Sequence, residues 1–231
     1  MSRVLFAGRV LAGRRLIDPV EAYFLPETDT LYPINSKAGC SSVKLALVRR
    51  YAPETQLRFP EIHVQDPAEL TGGKVERHFF LTRDAYRDFC RGRRIVLVTR
   101  DPYARIFSAY EGYRRGINRY YRHYARLRQW FGFDRELTFE EFVQYCCRLP
   151  ARYADRHFRP QSFYLPAGVK EASRDWQTTD ITEFGNLAGS ARPTVLNASG
   201  SALPPRLHEY LRDHGGFQAR YAEDLTWYGE R

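Results

Sequence analysis

Two stretches of this 231-residue chain share one order: an apolar run, a polar loop, then helical spacing. That repetition constrains the fold more than any other feature of the sequence. The first stretch is TLYPIN at 30–35, followed by SKAGCSS at 36–42 and VKLALVRRY, where Val43, Ala46 and Leu47 share a helical face. The second is IVLVTR at 95–100, a β-branched run of the kind buried on both sides in a parallel sheet. Asp101 and Pro102 then offer an N-cap and first-turn pair for a helix through YARIFSAYEGYRRG, with Ile106, Ala109 and Tyr113 at helical spacing. With more helical spacing around 85–90, these units predict an α/β fold: a single domain over 1–231, with a central parallel β-sheet flanked by helices. Ligands of such sheets bind beyond the carboxyl ends of the strands, which puts both polar loops on one rim.

Composition narrows the class. Hydrophobic residues make up 43% of the chain and charged ones 27%, enough for one core and too apolar for a disordered or fibrous chain. No apolar run approaches the roughly 20 residues of a membrane span, and the first 18 residues are broken by Arg3, Arg9, Arg14 and Arg15. A soluble, cytoplasmic protein without a transmembrane segment is expected. Cys40, Cys90, Cys146 and Cys147 show no paired CxxC spacing, so reduced thiols and no metal site are expected. The net charge of +9 favours an anionic partner. Only four of the 36 basic residues are lysines, and guanidinium forks suit phosphate and sulfate.

Further along, Thr138 and Glu141 form a capping box for FEEFVQYCC. The pattern weakens after Trp176, with one short strand expected at 194–197. LPPRLHEYLRDH predicts a helix with Pro204 or Pro205 in its first turn, and YAEDLTWYG is expected to pack back onto the sheet.

Two loops could carry chemistry. In SKAGCSS, the small residues Ala38, Gly39 and Cys40 let the backbone curl, while loop N–H groups, Ser41 and Ser42 offer donors to an anion at a helix N-terminus. Lys37 precedes the small residues, the reverse of GxxxxGK[ST], so the loop is not a standard phosphate loop. A plain turn is the alternative. Arg100, at the end of the second strand, points into the crevice, and Ser108 could complete a second phosphate site. The alternative there is a pair between Arg100 and Asp101.

Taken together, these residues resemble a known family. TLYPINSKAGCSSVK is similar to the 5′-phosphosulfate loop (here 35–43) of the sulfotransferases, especially the carbohydrate branch that includes chondroitin 4-O- and heparan 2-O-sulfotransferases. VTRDPYARIFSAY resembles their 3′-phosphate motif, R-D-P-x-x-R-x-x-S-A-Y (here 98–110), at every fixed position. FEEFVQYC, RHFRPQ, VLNAS and YAEDLTWYG resemble later segments of that branch, in consistent order. Ser36 departs from the usual proline, and FYLPAG at 163–168 lacks the cysteine pair of the Golgi members.

The resemblance implies a P-loop-like sulfotransferase fold in a bacterial member, and transfer of the sulfuryl group from 3′-phosphoadenosine-5′-phosphosulfate (PAPS) to a carbohydrate hydroxyl without a metal. Lys37 would stabilise the leaving oxygen. Ala38, Gly39, Cys40, Ser41 and Ser42 would cradle the 5′-phosphate, while Arg100 and Ser108 would hold the 3′-phosphate. A histidine base is expected. His78 is the first candidate, in a segment resembling the one that carries the base in heparan 2-O-sulfotransferase; His157 is second, and His63 and Glu76 are rivals. The segment 110–133, with six arginines and five tyrosines, is expected on the acceptor side, or else as an amphipathic helix with a solvated basic face. A P-loop-type small-molecule kinase and a basic nucleic-acid-binding module are the alternatives. The first lacks the lysine position, and the second leaves Lys37, Arg100 and Ser108 unexplained, so no nucleic-acid partner is expected.

Overall fold

The computed structural model of the chain describes residues 16, 18–58, 60–114, 137–187 and 202–229. Five strands form one sheet in the order β3-β1-β2-β4-β5: β1 Val20–Leu25, β2 Thr30–Pro33, β3 Glu76–Phe80, β4 Arg94–Val98 and β5 Asp175–Thr179. β2 pairs parallel with β4 and β4 with β5, whereas β1 is antiparallel to both β2 and β3. The sheet is therefore mixed, a correction to the expected parallel one. Its cause is local: Pro26–Thr28 make a single 3-10 turn and Asp29 takes a left-handed conformation (φ 48°), too short a link for anything but a hairpin.

All six residues of β1, VEAYFL, are buried, because the strand lies between neighbours and under helices on both faces. On one face, Tyr23 and Leu25 pack with Val43 and Leu47 of helix α1 (Cys40–Arg49) and with Phe184 of α7 (Ile181–Leu187). On the other, Val20, Ala22 and Phe24 pack with Phe80, with Tyr86 and Cys90 of α3 (Arg83–Cys90), and with Phe163 and Tyr164. Between these lies the short α2, Pro67–Thr71, capped by Asp66.

A third cluster joins Ile106 and Phe107 of α4 (Pro102–Arg114) to Phe142 of α5 (Phe139–Arg148), Leu211 of α8 (Pro205–Asp213) and Phe217 of α9 (Gly215–Arg220). The capping box of α5 has both halves, with Thr138 and Glu141 each bonding the other's backbone N–H. The remaining helices are α6 (Ala167–Ala172), α7 (Ile181–Leu187) and α10 (Ala222–Gly229). No helix among the described residues is long and apolar enough to cross a membrane. The expected strand at 194–197 and most of the basic aromatic segment 110–133 lie outside the described residues.

Because only β1 is reversed, β2, β4 and β5 end at one rim, where β1 begins. The loops after β2 and β4 therefore meet there, beside Val20 and Glu21.

Candidate active site

The 5′ loop is pinned at its start by Asn35, whose Nδ2 donates to Val98 O (3.0 Å) and to Gln161 Oε1 (2.8 Å). Lys37 (φ 66°) and Gly39 (φ 83°) are both left-handed. A side chain at Gly39 would be strained by that φ and would also sit 3.0 Å from Cδ1 and Cγ1 of Ile181 at the start of α7, so glycine is required twice over. The loop then enters α1, whose first turn holds Cys40, Ser41 and Ser42. The first turn of a helix carries the positive end of the helix dipole, an arrangement suited to an anion.

Burial pushes the Lys37 ammonium below its ordinary pKa; Arg100 and Arg105 act in the same direction, against a partial offset from Cys40 and Asp155. The Lys37 ammonium makes no hydrogen bond or ion pair among the described residues. A lysine held next to two guanidinium groups without its own carboxylate fits an anionic ligand.

Arg100 joins the two loops. Its Nη1 donates to the Lys37 carbonyl (3.1 Å), and its backbone N–H and C=O both bond the side-chain amide of Gln161. Asp101 is occupied in capping α4, accepting from the N–H of Tyr103 and Ala104. Arg100 is thus directed to the loop, and no hydrogen bond ties it to Asp101. Burial and Arg105 lower its pKa, with Asp101 opposing. Ser108 lies two turns along α4, buried.

Arg105, 2% exposed, donates to three carbonyls: Ser36 (Nε, 3.0 Å), Arg159 (Nη1, 2.7 Å) and Arg156 (Nη2, 2.9 Å). It thereby fastens the segment carrying His157 to the residue before Lys37. Within that segment His157 Nδ1 lies 2.5 Å from Asp155 Oδ1, which also accepts the His157 backbone N–H at 2.8 Å. Burial would raise the Asp155 pKa, but His157 outweighs it and holds the carboxyl below the ordinary range. Asp155 also acts electrostatically on Lys37, which puts this carboxylate in the neighbourhood of the loop.

Behind the loop is a buried ionic cluster. Glu21 Oε1 accepts from Lys44 Nζ (2.6 Å) and Glu21 Oε2 from Arg156 Nη1 (3.0 Å); Arg156 also forks onto Asp18. Burial raises the Glu21 pKa, but Lys44, Arg156 and His63 bring it down on balance. His63 stands between Lys44 (Nδ1, 3.2 Å) and Ser41 (Nε2, 2.9 Å). Burial and the Lys44 cation push its pKa down to about 4.

The structure therefore brings together Lys37, Ala38, Gly39, Cys40, Ser41, Ser42, Arg100, His157 and His63. It does not bring His78 to them. His78 lies opposite Ala22 on β3, on the α3 face of the sheet, against Phe24, Phe80 and Phe89 and 2.9 Å from Glu76. Its neighbour Arg77 points to the opposite face and reaches the His63 carbonyl. Strand alternation thus turns His78 and Glu76 away from α1.

Arg105, Gln161, Asp155, Lys44 and Glu21 were not singled out from sequence. Asp155-x-His157 is a local spacing that could have been noticed; Glu21 and Arg156 are joined across 135 positions.

The rim defines an α/β protein with two cation-bearing loops set side by side at the carboxyl ends of the parallel strands β2 and β4. Residues 28–181 match the profile of the sulfotransferase family. Because that match covers two thirds of the chain, the chain belongs to the sulfotransferase family and is a transferase of sulfuryl groups. Comparisons with characterised proteins and with solved structures give no match.

Proposed function

We propose that this enzyme takes the sulfuryl group from PAPS and passes it to a carbohydrate hydroxyl by in-line displacement, inside the cytoplasm. The observation that carries this reading is the Arg100–Lys37 contact: the cation ending β4 is bonded to the loop ending β2, so one ligand with two phosphate groups fits both. Ala38, Gly39 and the N-terminus of α1 with Cys40, Ser41 and Ser42 hold the 5′-phosphosulfate, while Arg100 and Ser108 hold the 3′-phosphate.

His157 is the general base. Ionised Asp155 accepts the Nδ1–H, which makes Nε2 the acceptor of the neutral ring. The acceptor hydroxyl gives its proton to Nε2 as its oxygen bonds sulfur. The bond from sulfur to the 5′-phosphate oxygen breaks, and Lys37 stabilises the charge left on that oxygen. The +9 net charge supports an anionic glycan as acceptor.

Thermal unfolding with adenosine 3′,5′-bisphosphate, 5′-AMP and ATP plus magnesium tests the donor. At 100 times its Kd the bisphosphate should stabilise by about 2.7 kcal/mol and 5′-AMP by much less, with Arg100→Ala narrowing the gap. Equal stabilisation by bisphosphate and 5′-AMP would sink the 3′-phosphate assignment. Transfer of label from PAPS to a glycan panel, lost in His157→Ala with nucleotide binding intact, tests the base.

A further inference from the structure

The Glu21–Lys44–His63–Ser41 chain is more than buried filler, because its donors and acceptors can be ordered in only one way. The Lys44 ammonium has three hydrogens and no lone pair, so at 3.2 Å it donates and His63 Nδ1 accepts. A neutral imidazole accepting at Nδ1 carries its hydrogen on Nε2, and that nitrogen is 2.9 Å from Ser41 Oγ. Ser41 Oγ is then the acceptor, and its own hydrogen must go elsewhere. Ser41 stands in the first turn of α1, where the loop N–H groups converge, and an oxyanion there would receive it.

We infer that His63 is a positioning residue of the donor site: fixed by Lys44 as the Nε2–H tautomer, it occupies Ser41 as an acceptor and so commits the Ser41 hydroxyl to donating toward the 5′-phosphate of the nucleotide. This rests on the donor reading of the loop.

The groups around His63 agree. Lys44 and Ser41 approach from α1 and Glu21 from β1, and the Arg77 guanidinium reaches the His63 carbonyl from β3. Arg156 and His157 act on it from the segment after α5. Glu21 alone favours a second proton on the ring; burial and the surrounding cations oppose it, so His63 is neutral at physiological pH. An imidazolium would also point Nδ1–H at the Lys44 ammonium, donor against donor. His63 is therefore unsuited to act as base, which separates its role from that of His157.

Two measurements test this. In histidine-labelled protein near neutral pH, ¹⁵N shifts should report His63 protonated at Nε2 and bare at Nδ1; an Nδ1–H tautomer or an imidazolium would overturn the inference. In titration calorimetry, Ser41→Ala and His63→Leu should each weaken adenosine 3′,5′-bisphosphate about tenfold, the scale of one hydrogen bond to a charged group, and leave 3′-AMP, which lacks the 5′-phosphate, unchanged. The double variant should stay near tenfold instead of about a hundredfold. His63→Gln, whose amide N–H can replace Nε2–H, should remain within about threefold of wild type, and this comparison stands even if His63→Leu fails to fold. Additive losses, equal weakening of 3′-AMP, or a His63→Gln defect as large as that of Ser41→Ala would overturn the relay while the donor reading survives. No binding of the bisphosphate by the wild-type chain would remove the donor reading and the relay with it.

Discussion

Replacing Arg105 by methionine keeps most of the side-chain volume and removes every donor. Three carbonyls, those of Ser36, Arg156 and Arg159, lose a charged partner in a place where Arg105 is only 2% exposed. A buried polar group left without its partner costs about 1–3 kcal/mol, and relief of guanidinium burial returns part of it. The expected loss is therefore about 3 kcal/mol, at the low end of the simple sum. For a chain of this length, where each kcal/mol moves Tm by about 2–4 °C, that is a drop of about 6–12 °C. Urea unfolding and calorimetry would measure it, with exposed Arg148→Met as a control expected within about 0.5 kcal/mol of wild type. Turnover should fall further than stability predicts, because the clamp ties the segment carrying His157 to the residue before Lys37. An Arg105→Met protein within about 0.5 kcal/mol of wild type, or one with unchanged turnover, would refute the clamp.

Lys37→Ala should cut turnover far more than affinity for adenosine 3′,5′-bisphosphate, since its contact strengthens as charge develops on the leaving oxygen; comparing kcat with Kd decides it. Stability should fall as pH drops from about 6.5 to about 4, because the unfolded chain protonates His63 in that window and the folded chain does not; pH-dependent urea unfolding should show a flatter profile in His63→Gln. Cys90 and Cys146 are buried and burial pushes the Cys147 thiol up to about 11, so iodoacetamide followed by mass mapping should label Cys40 first, with adenosine 3′,5′-bisphosphate protecting it.

Features encoded by near neighbours were legible in the sequence. The capping box at Thr138 and Glu141, Pro205 opening its helix, and the two loops on one rim all follow from residues a few positions apart. The hairpin partner β1 was not legible, because Glu21 interrupts its apolar run while burial on both faces removes the alternation that would mark a half-exposed strand. β5, DWQTT, is polar and among the described residues pairs only with β4, so its sequence carries little apolar signal. The separation of His78 from the loops was not legible for a related reason: a histidine in a strand faces one side or the other according to register, and register is set by pairing with β1. The ionic cluster was invisible because Asp18, Glu21, Lys44, His63 and Arg156 are neighbours only after folding.

The reversed strand has a further consequence. β2 and β4 end at this rim and lead into the loops that carry Lys37 and Arg100, while β1 begins there and presents Glu21 from within the sheet. A carboxylate on a loop beside Lys37 could swing onto the ammonium and act as an internal competitor of the donor's phosphates. Glu21 cannot, because its carbonyl accepts the Ile34 N–H just past β2 on one side, its backbone pairs with Phe79 of β3 on the other, and its oxygens are taken by Lys44 and Arg156. The molecule thus stores the acid its buried cations need in a form that cannot reach the Lys37 ammonium.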